Sequence, residues 1–338
     1  MSEHYGFDKI IGQDLAKRVL MKAVREQSPT HAYLFLGLQS TGKTTTAMEF
    51  GKALNCENPV DGNACGDCSI CRAIDHGNFP DMRIWSPDGQ NTKIDQMREM
   101  RDLARFGPTK GKWKINIVEQ GDTLNDESAN CILKLLEEPP AYLINILLFR
   151  NPGSMLPTIR SRCQMLRFTQ VDAEQLRVRL VEDHGAGEEE AEFLAVYSQG
   201  CPGRAISLIR NNDFFDRRDE IIEVARIAAS GSPWAALKIA GVLRTSSNDK
   251  GVRDTLLESL DMLVLWYRDL LAAKLQGDQV SVVNLDRIDE IKDQCRRYPH
   301  AGPLANAVDA ILQAKRAILG NANGQIVTEA LMMKLARG

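Results

Sequence analysis

The sequence predicts a parallel α/β module with a small cysteine-rich insert, followed by a small helical unit and an all-α C-terminal domain. Three observations carry this. Five short apolar runs, separated by segments of helical period, extend to residue 168; a glycine-rich loop joins the first run to the helix after it; and from Asp172 onward the pattern is helical throughout. The corresponding boundaries are 1–168, 169–211 and 212–338, with the cysteine insert at 56–71.

In chain order, residues 8 to 27 place Ile10, Ile11, Leu15, Val19, Leu20 and Val24 at helical period, after an entry through Ile11-Gly12-Gln13. Ala32 to Leu36 then reads as a buried strand. It runs into Gly37-Leu38-Gln39-Ser40-Thr41-Gly42-Lys43-Thr44, which fits G-x-x-x-x-G-K-[ST], and Thr44 to Leu54 continues as a helix. Strand, glycine loop and helix together form a phosphate cradle. The glycines let backbone N–H groups point inward, the helix N-terminus favours negative charge, Lys43 reaches the outer phosphates and the Thr44 hydroxyl can ligate Mg²⁺. Gly37, Thr41, Gly42, Lys43, Thr44 and Thr45 are therefore the candidate nucleotide-binding residues, with ATP and Mg²⁺ as the expected guests. A chance glycine turn capped by threonine is the bland alternative.

The eight cysteines are unevenly placed, with Cys56, Cys65, Cys68 and Cys71 inside sixteen positions. Gly62, Gly66 and Asp67 supply turns between them. Four thiolates at these spacings can close a tetrahedron round Zn²⁺ at about 2.3 Å, and a full thiolate shell leaves no open position, so the expected role is structural.

Met82 to Trp85 is the second strand, and Ile94, Met97, Met100, Leu103 and Phe106 mark one face of a helix, the two methionines as core. Trp113 to Glu119 is a third strand ending in an acid. A helix from about Asn125 to Glu138 follows and stops at Pro139-Pro140. An acid at such a strand end helps hold Mg²⁺, and a second acid next to it commonly polarises the attacking water. Here the pair is Glu119 and Gln120. Glu119 can hold the metal's water shell, but Gln120 cannot accept a proton, so the sequence predicts binding without efficient hydrolysis. The alternative source of a carboxylate is Asp122, in the turn.

Leu143 to Phe149 is the fourth strand and Gln164 to Phe168 the fifth, giving a parallel sheet covered on both faces with the glycine loop at a strand C-terminal end. A helical unit then runs to about Arg210, where Gly200-Cys201-Pro202-Gly203 opens a helix carrying Arg204 in its first turn. Asn211-Asn212-Asp213 marks the last boundary. Beyond it the clearest amphipathic stripe is Leu256, Leu260, Leu263, Tyr267, Leu270 and Leu271, with no catalytic constellation, a pattern that suggests assembly.

Lys and Arg total 42 against 45 Asp and Glu, a net charge of −3, so no bulk positive field holds nucleic acid. No basic stripe accompanies the cysteines, which argues against a zinc-dependent DNA reader. The N-terminus lacks an apolar export core and the most apolar run, Leu143 to Phe149, is too short to span a bilayer, so the expected location is cytoplasmic, with no membrane partner.

Taken together, the sequence resembles the AAA+ clamp-loader subunits of the bacterial replicative polymerase over essentially its whole length. The resemblance rests on His31-Ala32-Tyr33-Leu34-Phe35, Lys43-Thr44-Thr45-Thr46, the four cysteines, Lys93-Ile94-Asp95-Gln96-Met97-Arg98, Leu133-Lys134-Leu135-Leu136-Glu137-Glu138-Pro139-Pro140, Pro157-Thr158-Ile159-Arg160-Ser161-Arg162-Cys163 and Asn321-Ala322-Asn323. It implies a RecA-like AAA+ module with an embedded zinc site, a helical lid and a helical collar. The collar would join a five-subunit ring that uses ATP to open a sliding clamp and place it on primed DNA. The implied partners are the motor gamma/tau and delta types of subunit, the sliding clamp indirectly, and primer–template DNA within the assembled ring. Ser161-Arg162-Cys163 matches the family's Ser-Arg-Cys motif, which makes Arg162 the implied catalytic residue, acting in trans on a neighbour's ATP. Arg204 falls at the family's second-sensor arginine. Two departures, Glu119-Gln120 and Phe149-Arg150-Asn151 in place of a small polar first-sensor residue, point away from hydrolysis; the alternative is a hydrolysing gamma/tau-like motor subunit.

Overall fold

Five parallel strands organise the N-terminal part of the chain, in the order β2-β3-β4-β1-β5. The computed structural model describes residues 5–87, 94–211, 213–244, 251–277 and 282–337. Lys93 and Asn212, named above, lie outside the described residues, as do residues 1–4 and Gly338 at the ends of the first and last sequence-derived segments. In chain order the elements of this part are α1 (Asp14–Arg25), β1 (Ala32–Leu36), α2 (Lys43–Asn55), α3 (Ser69–Asp75), β2 (Met82–Trp85), α4 (Ile94–Leu103), β3 (Lys114–Val118), α5 (Asp126–Glu137), β4 (Leu143–Phe149), α6 (Pro157–Arg160) and β5 (Gln164–Arg167).

Side chains alternate along the strands, and so each strand feeds two cores. β1 sends Tyr33 and Phe35 to one face and Ala32 and Leu34 to the other; β4 sends Ile144, Ile146 and Leu148 with the first pair and Leu143, Leu147 and Phe149 with the second. Leu20 and Val24 of α1 and Ala47 and Phe50 of α2 cover the first face, while Met97 and Met100 of α4 and Ile132 and Leu136 of α5 cover the second. Burying each of the larger side chains contributes about 1.5–3 kcal/mol. All seven residues of β4 are buried, as a central parallel strand requires. Asn145, which breaks that apolar run, accepts a hydrogen bond from Asn116 Nδ2 at 3.2 Å, and Asn116 in turn accepts one from Trp85 Nε1 at 3.1 Å.

The helix expected to open after Ile11-Gly12-Gln13 starts at Asp14, because Gly12 and Gln13 take left-handed backbone conformations (φ +68° and +58°) that interrupt an i→i−4 ladder; a separate 3₁₀ turn covers Gly6–Lys9. Two apolar positions expected on helix faces are not buried. Leu15 is 64% exposed in consequence of where α1's apolar face lies, and Phe106 is 68% exposed because α4 ends at Leu103.

By contact the chain divides into two compact units, Met1–Ala186 with Ser198–Ile206, and Gly187–Tyr197 with Ser207–Gly338. Of the helices after the sheet, α7 (Ala173–His184) falls in the first and α8 (Glu188–Tyr197) in the second, and α9 (Pro202–Ile209) is divided after Ile206. The second unit continues with α10 (Phe214–Ala228), α11 (Pro233–Ile239), α12 (Val252–Gln276), α13 (Ile288–Cys295), α14 (Ala301–Leu319) and α15 (Gly324–Leu335). In α12 the residues Leu256, Leu260, Leu263, Tyr267 and Leu270 are buried as the stripe predicts, with Leu271 half-buried at its edge, and α14 is this helix's main packing partner. Asp269, fully buried on α12, is compensated by donations from the Val283 and Asn284 amides and from Asn284 Nδ2. Among the described residues no helix is long and apolar enough to cross a membrane.

Candidate nucleotide and metal sites

The glycine loop leaves the C-terminal end of β1 and wraps into α2, and its shape is fixed by backbone geometry. Gly42 has φ +93° and Ser40 φ +64°, so the chain turns sharply enough for the first-turn N–H groups of α2, which have no partners within the helix, to face the cavity. Gly37 packs directly on the end of β5: a Cβ there would lie 2.3 Å from the Phe168 carbonyl oxygen. Gly37→Ala is therefore expected to lower stability by about 1–3 kcal/mol, seen as an earlier urea midpoint, before any ligand is added. Gln13 braces the loop from outside, with Nε2 donating to the Thr169 carbonyl (2.7 Å) and the Thr41 carbonyl (3.3 Å) and Oε1 accepting from the Thr169 amide. A third brace comes from α9, where the Gly203 amide donates to the Ser40 carbonyl at 2.9 Å.

The cavity so formed holds about 320 Å³ and is lined by loop residues Gln39, Ser40, Gly42, Lys43, Thr44 and Thr45, together with Glu119, Gln120, Leu148, Arg150 and Gly203. Gly37 and Thr41 frame it: the Thr41 hydroxyl donates to the Leu38 carbonyl at 2.8 Å. Lys43 Nζ donates to the Gly37 and Leu38 carbonyls, both at 2.6 Å. Burial pushes its ammonium down to about 8; the positive charge of Arg150 adds to the shift, and Asp122 and Cys201 oppose it.

At the end of β3, Glu119 accepts a hydrogen bond from the Thr44 hydroxyl at 2.9 Å through Oε1 and one from the Ser86 hydroxyl at 2.8 Å through Oε2. The acid thus faces the hydroxyl expected to ligate Mg²⁺. Gln120 follows in a left-handed conformation (φ +49°). Asp122, the alternative carboxylate, is committed elsewhere: it accepts from the Arg150 and Asn151 amides at 2.7 and 2.9 Å and from the Ser154 hydroxyl. Burial works against its charge, but those donors hold it below the usual carboxylate range.

Arg204 is the third residue of α9, one position beyond Gly203 at the cavity wall. Burial raises the Cys201 thiol, and the charges of Arg204 and Lys43 both act to lower it. Arg162 lies apart from the cavity. Its Nη1 donates to the Thr158 carbonyl at 3.0 Å and its Nη2 pairs with Glu137 Oε1 at 2.9 Å, with 36% of the arginine side chain exposed. The pair is at the surface, where the strand-start position alone would suggest a buried one. The adjacent Cys163 thiol is pushed up to about 12 by burial and is inert at neutral pH.

The sulfurs of Cys56, Cys65, Cys68 and Cys71 all lie within 4.8 Å of one another. Separations of 3.4 Å (Cys56 to Cys65), 4.0 Å (Cys56 to Cys68) and 3.9 Å (Cys65 to Cys71) bracket the roughly 3.8 Å edge of a tetrahedron with 2.3 Å metal–sulfur bonds. The Cys65, Cys68 and Cys71 amides donate to the sulfurs of Cys56, Cys65 and Cys68 respectively. Burial pushes the Cys65 thiol up, but amide donation from Cys68 and Asp67 outweighs it and brings the group down to about 7. A sulfur set of this shape, with amides aimed at it, fits a single tetrahedral cation.

Comparison with known proteins bears on the chain's family. A profile described as DNA polymerase III, delta subunit, matches residues 12–172, and one described as DNA polymerase III, delta subunit, C terminal, matches residues 212–337. The chain is also similar to the DNA polymerase III subunit delta' of Bacillus subtilis, 28% identical over 96% of this chain and 97% of that one. The chain belongs to the clamp-loader subunit family of DNA polymerase III. This clamp-loader subunit is similar as well to the tau subunit of Bacillus subtilis (29% identity, 98% of this chain) and that of Escherichia coli (33% identity, 60% of this chain). It spans 61% of the former's length and 32% of the latter's. A gamma subunit-related protein from Thermotoga maritima superimposes with a TM-score of 0.48 at 18% identity, covering 96% of this subunit and 98% of that chain, a looser likeness on which nothing further rests.

The sequence located the loop, the acid at the end of β3 and the four sulfurs of this subunit. Gln13, Ser86 and the exposure of Arg150 to the cavity were not foreseen. Gln13 carries no motif, being a loop brace only because the chain turns at Gly12. Arg150 had a weak signal, as the first residue after β4.

Proposed function

We propose that this chain is a clamp-loader subunit that binds ATP with Mg²⁺ in its own phosphate loop without hydrolysing it efficiently, and that lends Arg162 to the ATP site of a neighbouring subunit. The observation that carries the first half is the end of β3. Glu119 meets Thr44 at 2.9 Å, as a metal-holding acid should, while the next side chain into the cavity is Gln120, an amide with no proton affinity at neutral pH. Gly42, Lys43, Thr44 and Thr45 hold the phosphates, Gly37 and Thr41 shape the loop, and Arg204 approaches from the helical lid.

The second half is supported by Arg162 standing outside its own chain's cavity, partly exposed, in the Ser-Arg-Cys sequence. The organisation we infer is a nucleotide-binding domain at 1–168, a lid at 169–211 and a collar at 212–338 that joins a ring with gamma/tau and delta-type subunits. The ring acts on a sliding clamp and on primer–template DNA; this subunit touches the clamp only indirectly. The metal of the cysteine cluster is Zn²⁺, held for structure, and the protein works in the cytoplasm.

The test pairs equilibrium ATP binding with turnover on the purified full chain. Binding with turnover near background is expected, and Lys43→Ala should abolish the binding. Sustained turnover by the chain alone would establish the hydrolysing gamma/tau-like motor instead, and absence of binding would end the nucleotide reading altogether.

A further inference from the structure

Within the helical second unit, a cavity of about 400 Å³ opens between α12, α14 and the end of α15. It shares no residue with the nucleotide cavity or the cysteine cluster. Its origin is in the sequence: Pro303, Ala307 and Ala310 recur at i, i+4 and i+7 on one stripe of α14, and side chains so small leave a gap toward Leu335 of α15. Tyr267 of α12 and Tyr298, between α13 and α14, line its deepest part and are 1% and 8% exposed. The Tyr267 hydroxyl has no hydrogen-bond partner among the described residues, although a buried tyrosine hydroxyl usually finds one. Burial, and after it the neighbouring Tyr298 phenol, raise its pKa well above the ordinary value, so it stays neutral with a proton to donate. The mouth differs in kind. Lys334, Arg337 and Asp309 stand exposed there, with one positive charge in surplus.

We propose that this cavity is a binding site for a small organic carboxylate that has an apolar body and an oxygen at its far end. The oxygen meets the Tyr267 hydroxyl, the body lies against Ala307, Ala310 and Leu335, and the carboxylate sits at Lys334 and Arg337. The volume falls in the range of about 300–1,000 Å³ typical of small-molecule sites, and apolar walls with a few convergent polar groups are their usual construction. Each part of the cavity selects one part of the ligand. A wholly apolar ligand would leave the Tyr267 hydroxyl buried and unpaired, which disfavours it, whereas an acceptor oxygen supplies the missing partner. A neutral ligand would leave the surplus charge at the mouth unused, whereas a carboxylate gains charge-assisted bonds from the ammonium and the guanidinium. This inference is independent of the nucleotide and arginine-finger readings above.

Calorimetric titration of the full chain with para-hydroxyphenylacetate tests this, alongside phenylacetate, which lacks the far oxygen, and para-hydroxyphenethyl alcohol, which lacks the carboxylate. The first is expected to bind with a Kd below about 1 mM, and each of the others about fivefold or more weaker. Tyr267→Phe removes a hydroxyl that has no partner to lose, so the variant should fold normally and bind para-hydroxyphenylacetate only as tightly as phenylacetate. Replacing Lys334 and Arg337 together with Ala should likewise bring para-hydroxyphenylacetate to the affinity of the alcohol. Ala310→Leu, which fills the cavity from its half-buried wall, should abolish binding of all three probes at an unchanged Tm. Failure of para-hydroxyphenylacetate to saturate the unaltered chain at concentrations on the order of 10 mM overturns the proposal. So does binding that Tyr267→Phe and Ala310→Leu both leave unchanged, which would put the ligand elsewhere on the chain.

Discussion

Replacing Arg162 with Ala is expected to cut the ATP turnover of the ATP site it serves by roughly 10³, in a reconstituted ring stimulated by primed DNA. The argument is electrostatic. Charge accumulates on the transferring phosphoryl group, and a guanidinium supplied from the next subunit neutralises it in a site from which water is largely excluded, which is worth about 4 kcal/mol for a thousandfold effect. What the substitution removes within its own chain is small by comparison: a surface ion pair with Glu137 and bonds to the Thr158 carbonyl and the Ser161 hydroxyl, all partly exposed. Exposed pairs contribute about 0–1 kcal/mol, so the variant should fold, keep its metal and assemble. Arg162→Lys should not restore full turnover, because an ammonium cannot present two parallel donors. Steady-state turnover of rings built with each variant reads the effect directly. Unchanged turnover in rings that assemble normally would remove Arg162 from the chemistry and leave it a surface residue of the α6–β5 corner.

How much of this could be seen in the sequence depends on the kind of physics each feature obeys. The strands were legible because a central parallel strand is buried on both faces and so writes itself as a continuous apolar run; Leu143 to Phe149 has both ends where the run has them. The glycine loop and the cysteine cluster were legible because their geometry demands particular residues at particular spacings. Helix ends were less so. Apolar spacing alone places Phe106 on the face of α4, which ends at Leu103, and sets Leu15 with the core positions of α1, where it stands exposed. Long-range polar commitments were the least legible. Asp122 stood as a second candidate for the metal's carboxylate until its oxygens were found on the amides of Arg150 and Asn151, nearly thirty residues away in sequence. Those bonds also set the backbone of Arg150 at the cavity, so one unforeseen interaction withdraws an acid from the site and positions a cation in it.

The cysteine cluster is where loss of a ligand should cost the fold most. Cys56 is the C-cap of α2, and Cys56 and Cys71 are buried in the same core as Phe7, Phe50 and Tyr33. A tetrahedral ion there would tie the end of α2 to α3, a helix of seven residues too short to stand by its own hydrogen bonds. Metal analysis of the purified chain is expected to give about one zinc per chain. Cys71→Ser should remove that zinc and cost about 3 kcal/mol, since binding free energy that orders a segment is folding free energy. For a chain of 338 residues such a loss lowers Tm by about 4 °C, measurable by calorimetry. The same drop should follow treatment of the unaltered chain with a strong chelator and be reversed by added zinc, which separates metal loss from a packing defect at the serine. Because the phosphate loop lies at the opposite end of α2, ATP binding at a temperature well below the lowered Tm should survive, weakened only slightly. A chain with no bound zinc and a Tm indifferent to chelator would mean that the four clustered sulfurs act as ordinary free thiols.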